Sequence, residues 1–299
     1  MAKIGFIGAG AMGAPMIGHL LDAGHELIVH TRRREAAQPL LERGARYAAT
    51  PADAARGAEF VCTNVTRTAD VGAVLFDVGG VAEGAAPGTV VIDFSTISAV
   101  ATREFAQRLA QRSIEMLDCP VSGGAAGARQ ASLSIIVGGK AEVLERARPI
   151  LARLGTTITH IGDHGAGQVV KACNQIVQVV NIEGIAEAML FANANGVDPR
   201  KMLVALQAGM AGSKMLDLMG PKMAARDFAA GIEARLHQKD FGLVIEMTQA
   251  MGMSLPITAA VSQQLNALVG NGWGRDDTSS LLRVLEGLNR GHAQAANDQ

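Results

Sequence analysis

Charge, aromatic rings and cysteine are all scarce in this chain of 299 residues. Only 18% of the residues are Asp, Glu, Lys or Arg, and 27 basic against 28 acidic side chains leave a formal charge of -1. With no excess of positive charge there is no bulk attraction to nucleic acid or to an anionic bilayer, so neither is expected as a partner. Aromatic residues make up 3%, as one Trp, one Tyr and eight Phe. That excludes a base-stacking platform and leaves the core to Ala, Val, Ile, Leu and Met. Cys62, Cys119 and Cys173 are too few and too far apart for a disulfide framework or a zinc cluster, which fits a reducing cytoplasm. The seven histidines show no ligand spacing, His160 and His164 included, so no metal is expected. The apolar start of the chain is broken by glycines and Lys3 and followed by Pro15, His19 and Asp22, which reads as neither a signal peptide nor a membrane span.

Apolar residues and glycine are what the chain has in quantity. At 48% hydrophobic it is too apolar for intrinsic disorder, and its 35 glycines are scattered rather than periodic, which excludes collagen and marks tight turns. From residue 3 to about residue 162, short apolar runs alternate with amphipathic stretches: Ile4 to Ile7, Glu26 to His30, Phe60 to Thr63, Val90 to Phe94, Ile114 to Leu117, Leu133 to Val137 and Thr157 to Ile161. This predicts βαβ units and a mostly parallel sheet. From Ala166 to Ala194 there is no proline and helix formers dominate, which predicts one helix of about 29 residues, or about 43 Å at 1.5 Å per residue. Helical patterns then continue, punctuated by Asp198-Pro199, Gly220-Pro221, Leu255-Pro256 and Asn271-Gly272, with no strand.

The expected organisation is therefore an α/β Rossmann-type domain over residues 1–163, a helical domain over 164–292 that begins with the long helix, and a frayed polar tail over 293–299. So much apolar helix surface exceeds what one protomer covers, and a homodimer or homotetramer is expected. Met215, Met219 and Met223 recur at helical core spacing and read as packing, and Cys173 reads as structural.

The first apolar run leads into Gly8-Ala9-Gly10-Ala11-Met12-Gly13, followed by Met16, Ile17 and Leu20 at core spacing. This is GxGxxG between a strand and a helix. Gly8 permits the turn, Gly10 lets the backbone approach a pyrophosphate, and Gly13 allows close helix packing, while the helix start offers N–H donors. The second run ends at His30, where an NAD enzyme usually places Asp or Glu for the ribose 2′-hydroxyl. Here Thr31-Arg32-Arg33-Arg34 follows instead. A guanidinium pairs with a 2′-phosphate, so NADP is the expected cofactor, with NAD as the alternative and Thr31 and Arg32 as the contacts.

Three further segments carry chemistry: Asp118-Cys119-Pro120-Val121-Ser122-Gly123-Gly124, Gly165-Ala166-Gly167-Gln168-Val169-Val170-Lys171-Ala172-Cys173-Asn174-Gln175, and Lys239-Asp240. A serine followed by two glycines can present a hydroxyl and bare N–H groups to a carboxylate. Lys171 and Asn174 share a helix face, which Gln178 continues, and the apolar residues around Lys171 suggest a partly enclosed position. An ammonium set at a carbonyl oxygen can stabilise negative charge and donate a proton there.

In combination these motifs, with Asp93-Phe94-Ser95-Thr96, resemble the β-hydroxyacid dehydrogenase family, which includes 3-hydroxyisobutyrate dehydrogenases and tartronate semialdehyde reductases. The resemblance runs from the glycine-rich turn to about Asn289. It implies Lys171 as the catalytic acid/base, Ser122, Gly123 and Gly124 holding a substrate carboxylate, and Asn174 orienting the substrate. It also implies cofactor contacts from Gly8, Gly10, Ala11, Met12, Gly13, Val65, Thr96 and Lys239, and a helical domain that forms much of a dimer contact. Gln175 and the segment Gly209-Met210-Ala211-Gly212-Ser213 look closer to the tartronate semialdehyde reductases. The family's usual Leu-Pro reads Val65-Thr66 here, which alters the loop that the resemblance places beside the nicotinamide ribose, and its Gly-Thr-Leu reads Ala131-Ser132-Leu133. The expected activity is reduction of a small carboxylated aldehyde. Alternatives are 3-hydroxyisobutyrate, succinic semialdehyde, glyoxylate or a β-hydroxy amino acid as substrate, and, in a different class, a non-catalytic cofactor-binding module.

Overall fold

Nine strands form one sheet in the computed structural model, which describes residues 1–289. They are β1 (Lys3–Ile7), β2 (Glu26–His30), β3 (Arg46–Tyr47), β4 (Phe60–Thr63), β5 (Val90–Asp93), β6 (Glu115–Asp118), β7 (Val121–Ser122), β8 (Leu133–Gly138) and β9 (Gly155–Gly162). The order β3-β2-β1-β4-β5-β6 is parallel throughout; β8 then pairs antiparallel with β6 and β7 and parallel with β9. The α/β Rossmann-type expectation is met. The predicted tail over residues 293–299 lies outside the described residues.

The central strands are buried on both sides because helices cover both faces, which is why they read as unbroken apolar runs. Successive residues serve opposite cores: Ile4, Phe6, Cys62 and Ile92 pack in one, Ile7, Val61 and Val91 in the other. Two strands were not anticipated, β3 and β7. Each has two residues, too short for any alternation to show. Register aligns Ile7 with His30 and Thr63, Thr63 with Asp93, and Asp93 with Asp118. The segments after β1, β2, β4, β5 and β6 therefore leave one common carboxyl edge, with the order reversing at β1, where open α/β sheets bind ligands.

Contacts divide the chain into one unit, Met1–Lys171, and a second beginning at Ala172. The long helix spans Ala166–Ala194, as expected. By length and composition alone it could pass for a membrane span, yet Val179, Ile182, Ala186 and Met189 build a core with Met215, Met219, Met223, Phe241 and Leu265. The second unit is helical, and its turn around Asp277 is pinned where that carboxylate accepts the N–H groups of Gly231 and Ser279 at 2.8 and 3.0 Å. One expectation fails here. Gly220-Pro221 does not separate two helices; it lies inside Lys214–Ala225. A Cβ at Gly220 would press on the end of the Leu203 side chain, so the two helices pack closely here, and tertiary contact outweighs the helix-breaking tendency of the proline.

The third glycine of the GxGxxG turn gives a direct test of the packing. A Cβ on Gly13 would overlap the backbone oxygen of Gly8 and press on Phe6. Gly13→Ala should cost about 1–3 kcal/mol, lowering the midpoint of thermal unfolding by several degrees. An unchanged melting curve would contradict this account of the turn.

Candidate active site

The glycine-rich turn has the form that a pyrophosphate needs. Gly8 has φ of +103°, and its missing Cβ leaves room for the Asn64 carbonyl, while its N–H donates to His30 O at 2.9 Å. Gly10 has nothing within 4 Å of where a Cβ would stand, so a side chain there would fill the cradle. The following helix, Gly13–Asp22, has Met12 at its N-cap and no side-chain cap, which leaves its start suited to an anion. These residues fit a dinucleotide. After β2, Arg34 lies over the Tyr47 ring at 5.1 Å from its centre, and Tyr47 Oη donates to Thr31 O at 3.4 Å. Arg32 is exposed, and its charge, after that of Arg67, helps to hold Asp70 below the usual carboxylate range. The strongest influence on Asp70 is its hydrogen bond with Arg67, an ion pair that sequence reasoning did not single out.

At the ends of β4 and β5 a buried carboxylate organises two loops. Asp93 Oδ1 accepts the Thr63 hydroxyl at 2.8 Å and the Ser95 N–H at 3.1 Å. Ser95 Oγ in turn accepts the Val65 N–H at 3.0 Å. Val65 is thus tied to the end of β5 by one short chain of bonds, and the half-buried Thr96 follows Ser95 directly. Burial pushes Asp93 up to about 6, against the pull of its bonds to Ser95 and Thr63.

Beyond β6, Asp118 accepts the N–H of Gly165 at 2.8 Å and of Gln168 at 3.1 Å, one on each oxygen. It caps the long helix from a strand end 47 residues upstream of Gly165. Gly138 and Gly167 lack the Cβ atoms that would strike this carboxylate. Burial raises its pKa more than the two N–H bonds lower it. Lys171 follows one turn along the capped helix and is 8% exposed, in keeping with the enclosed position expected of it. Ser122 ends β7, and Gly123 and Gly124 take φ of +128° and +60°, turning the chain sharply into the short helix Gly124–Arg129.

In the second unit four side chains form one chain of contacts. Asn174 Nδ2 donates to Gln175 Oε1 at 2.7 Å, Gln175 Nε2 donates to Asp240 Oδ2 at 2.6 Å, and Lys239 Nζ lies 2.9 Å from Asp240 Oδ1. Asn174 and Lys239 were expected as site residues. Gln175 and Asp240 lie in the segments singled out from the sequence, but their pairing was not foreseen, since only the fold brings residues 65 apart together. Cys173, two positions on from Lys171, is exposed.

Comparison with known proteins identifies the family. The family model described as the NAD binding domain of 6-phosphogluconate dehydrogenase matches residues 3–162. That of the NAD-binding region of NADP-dependent 3-hydroxyisobutyrate dehydrogenase matches residues 165–285. The chain belongs to the NAD(P)-dependent β-hydroxyacid dehydrogenase family. Among these dehydrogenases, the 2-hydroxy-3-oxopropionate reductase of Escherichia coli (strain K12) is 39% identical over 284 residues, 95% of this chain and 97% of that one. The 3-hydroxyisobutyrate dehydrogenase of Pseudomonas aeruginosa is 37% identical over 266 residues, 87% of this chain and 89% of that one. The structure of the Mycobacterium tuberculosis 3-hydroxyisobutyrate dehydrogenase with L-serine superposes with a TM-score of 0.89 at 30% identity, covering 95% of this chain and 99% of that one. As a dehydrogenase of this family the chain uses a nicotinamide cofactor, which agrees with the fit of its glycine-rich turn.

Asp93 makes the internal wiring of this dehydrogenase testable. Its folded pKa of about 6 stands above the ordinary 3.8, so the folded state holds the proton more tightly than the unfolded chain. That contribution to stability is complete below about pH 4 and is lost as pH rises through about 6. Asp93→Asn keeps the acceptor for Thr63 and Ser95. Between those pH values the wild type should lose up to roughly 3 kcal/mol relative to the variant in denaturant titrations. Parallel stability profiles would refute a protonated Asp93.

Proposed function

We propose that this dehydrogenase prefers NADP(H) and reduces a small carboxylated aldehyde to its hydroxy acid, with tartronate semialdehyde (2-hydroxy-3-oxopropionate) as the foremost substrate. The observation that carries this reading is the sequence Lys171-Ala172-Cys173-Asn174-Gln175, whose Gln175 bonds both Asn174 and Asp240, in a chain 39% identical to the E. coli 2-hydroxy-3-oxopropionate reductase. Bound nicotinamide would supply the hydride for the aldehyde carbon. Lys171, as an ammonium, holds a proton at the aldehyde oxygen and donates it as negative charge develops there. The Ser122 hydroxyl and the N–H groups of Gly123 and Gly124 receive the substrate carboxylate, and Asn174 orients the substrate. Thr96 and Lys239 contact the cofactor. Thr31 and Arg32 take the 2′-phosphate, because β2 ends without the acid that would repel it. A second reading, oxidation of a β-hydroxy amino acid, draws support from the M. tuberculosis relative solved with L-serine.

Steady-state rates with tartronate semialdehyde, 3-hydroxyisobutyrate, succinic semialdehyde, glyoxylate and L-serine separate these substrates; negligible turnover of the first overturns the primary reading. Lys171→Ala should keep cofactor binding and lose about two to four orders of magnitude in kcat. Unchanged turnover would remove the lysine from the chemistry. Arg32→Asp should shift coenzyme preference toward NADH, by tenfold or more if one charge-assisted pair of about 1.5–3 kcal/mol is lost. Stronger use of NADH by the wild type would sink the NADP(H) assignment.

A further inference from the structure

Gln168 has no part in the proposed chemistry, yet it is 2% exposed and both ends of its side-chain amide are engaged. Oε1 accepts the Ile97 N–H at 3.1 Å, and Nε2 donates to the Ser95 carbonyl at 2.8 Å. These two backbone groups flank Thr96. The amide therefore grips the loop on either side of the residue assigned to the nicotinamide, as a neighbouring strand would. The loop is braced from behind as well, through the bonds of Ser95 to Asp93 and Val65. Gln168's own N–H is held by Asp118, and Lys171 comes three residues later on the same side of the helix.

We propose that Gln168 is a positioning residue that holds the Thr96 loop in register with Lys171, and so fixes the nicotinamide contact relative to the proton donor. The proposal rests on the roles assigned above to Thr96 and Lys171. The uncharged amide both accepts from an N–H and donates to a C=O whatever the pH. A glutamate here does so only when protonated, its carbonyl oxygen accepting from Ile97 and its hydroxyl donating to Ser95. Ionised, it sets a carboxylate oxygen against the Ser95 carbonyl. Charged groups placed about this segment are Asp93 and Asp118 from the strand ends, Arg103 beside Gly165, and His164 and Lys171 on either side in sequence.

The test uses the full-length enzyme with NADPH and its best semialdehyde, comparing wild type, Gln168→Met, Gln168→Glu and Lys171→Ala. Gln168→Met keeps the length of the side chain and removes both bonds. It should lower kcat about 10–100-fold, with the NADPH dissociation constant, read by nucleotide fluorescence, moving less than about threefold, because the reacting groups lose alignment while the pyrophosphate cradle stays intact. Gln168→Glu should show the same loss at high pH, and its kcat relative to wild type should climb toward unity as pH falls. A merely structural role would lower the melting temperature of both variants and leave that ratio flat. Wild-type kcat in folded Gln168→Met, or a flat Gln168→Glu ratio should the methionine variant fail to fold, overturns the proposal. If Lys171→Ala keeps full turnover, the acid/base reading fails and the positioning role fails with it; an inactive Lys171→Ala beside a fully active Gln168→Met refutes the positioning role alone.

Discussion

A helix can hold a side chain in a defined place only if its own first turn is fixed, and here one buried carboxylate does that. Asp118, at the end of β6, takes the N–H groups of Gly165 and Gln168 and anchors the start of a 29-residue helix to the carboxyl edge of the sheet. A carboxylate at a helix N-terminus opposes the helix dipole favourably, worth about 0.3–1 kcal/mol when exposed and up to about 2 when buried. The larger consequence is geometric. With the first turn set, Gln168 reaches the loop of Thr96 and Lys171 has a fixed azimuth one turn later. Glycines at 138 and 167 are the local condition, since a Cβ at either would meet the Asp118 carboxylate.

Much of the architecture was legible before any coordinates. Strands buried on both faces announce themselves as apolar runs, and the absence of proline over Ala166–Ala194 marked the long helix to the residue. What escaped notice was short or tertiary. Two-residue strands have no periodicity to display, and Pro221 inside a helix shows packing overriding local preference. In the site, residues whose role follows from residue type stood out: the glycines of the turn, Lys171, Ser122 with its glycines. Residues that hold others fell within the same motif segments, but their partners could not be read. Asp93, Gln168 and Asp240 bond to groups far away in sequence, so no spacing rule could pair Gln168 with Ser95 or Asp240 with Gln175. The usable signal was chemical: a carboxylate closing an otherwise apolar strand, as Asp93 and Asp118 do, has to find donors or keep its proton.

The residues singled out from the sequence fall in both units. The first holds the dinucleotide cradle, the serine-glycine turn and Lys171; the second holds Asn174 and Lys239 on the contact chain through Gln175 and Asp240. Charge is scarce in the interior too, where Asp93, Asp118 and Asp277 accept backbone N–H groups and Asp240 meets Gln175 and Lys239.

Hydride transfer, rather than nucleotide binding alone, is the activity proposed for this member of the family. The most direct measurement is incubation with NADPH deuterated at the transferable position of the nicotinamide and tartronate semialdehyde, followed by mass spectrometry of the product. A single deuterium on the new carbinol carbon, with equimolar NADP+ formed, is the expected result. Cofactor that binds but leaves no deuterium in this or any related hydroxy acid would contradict the account and leave a binding module in its place.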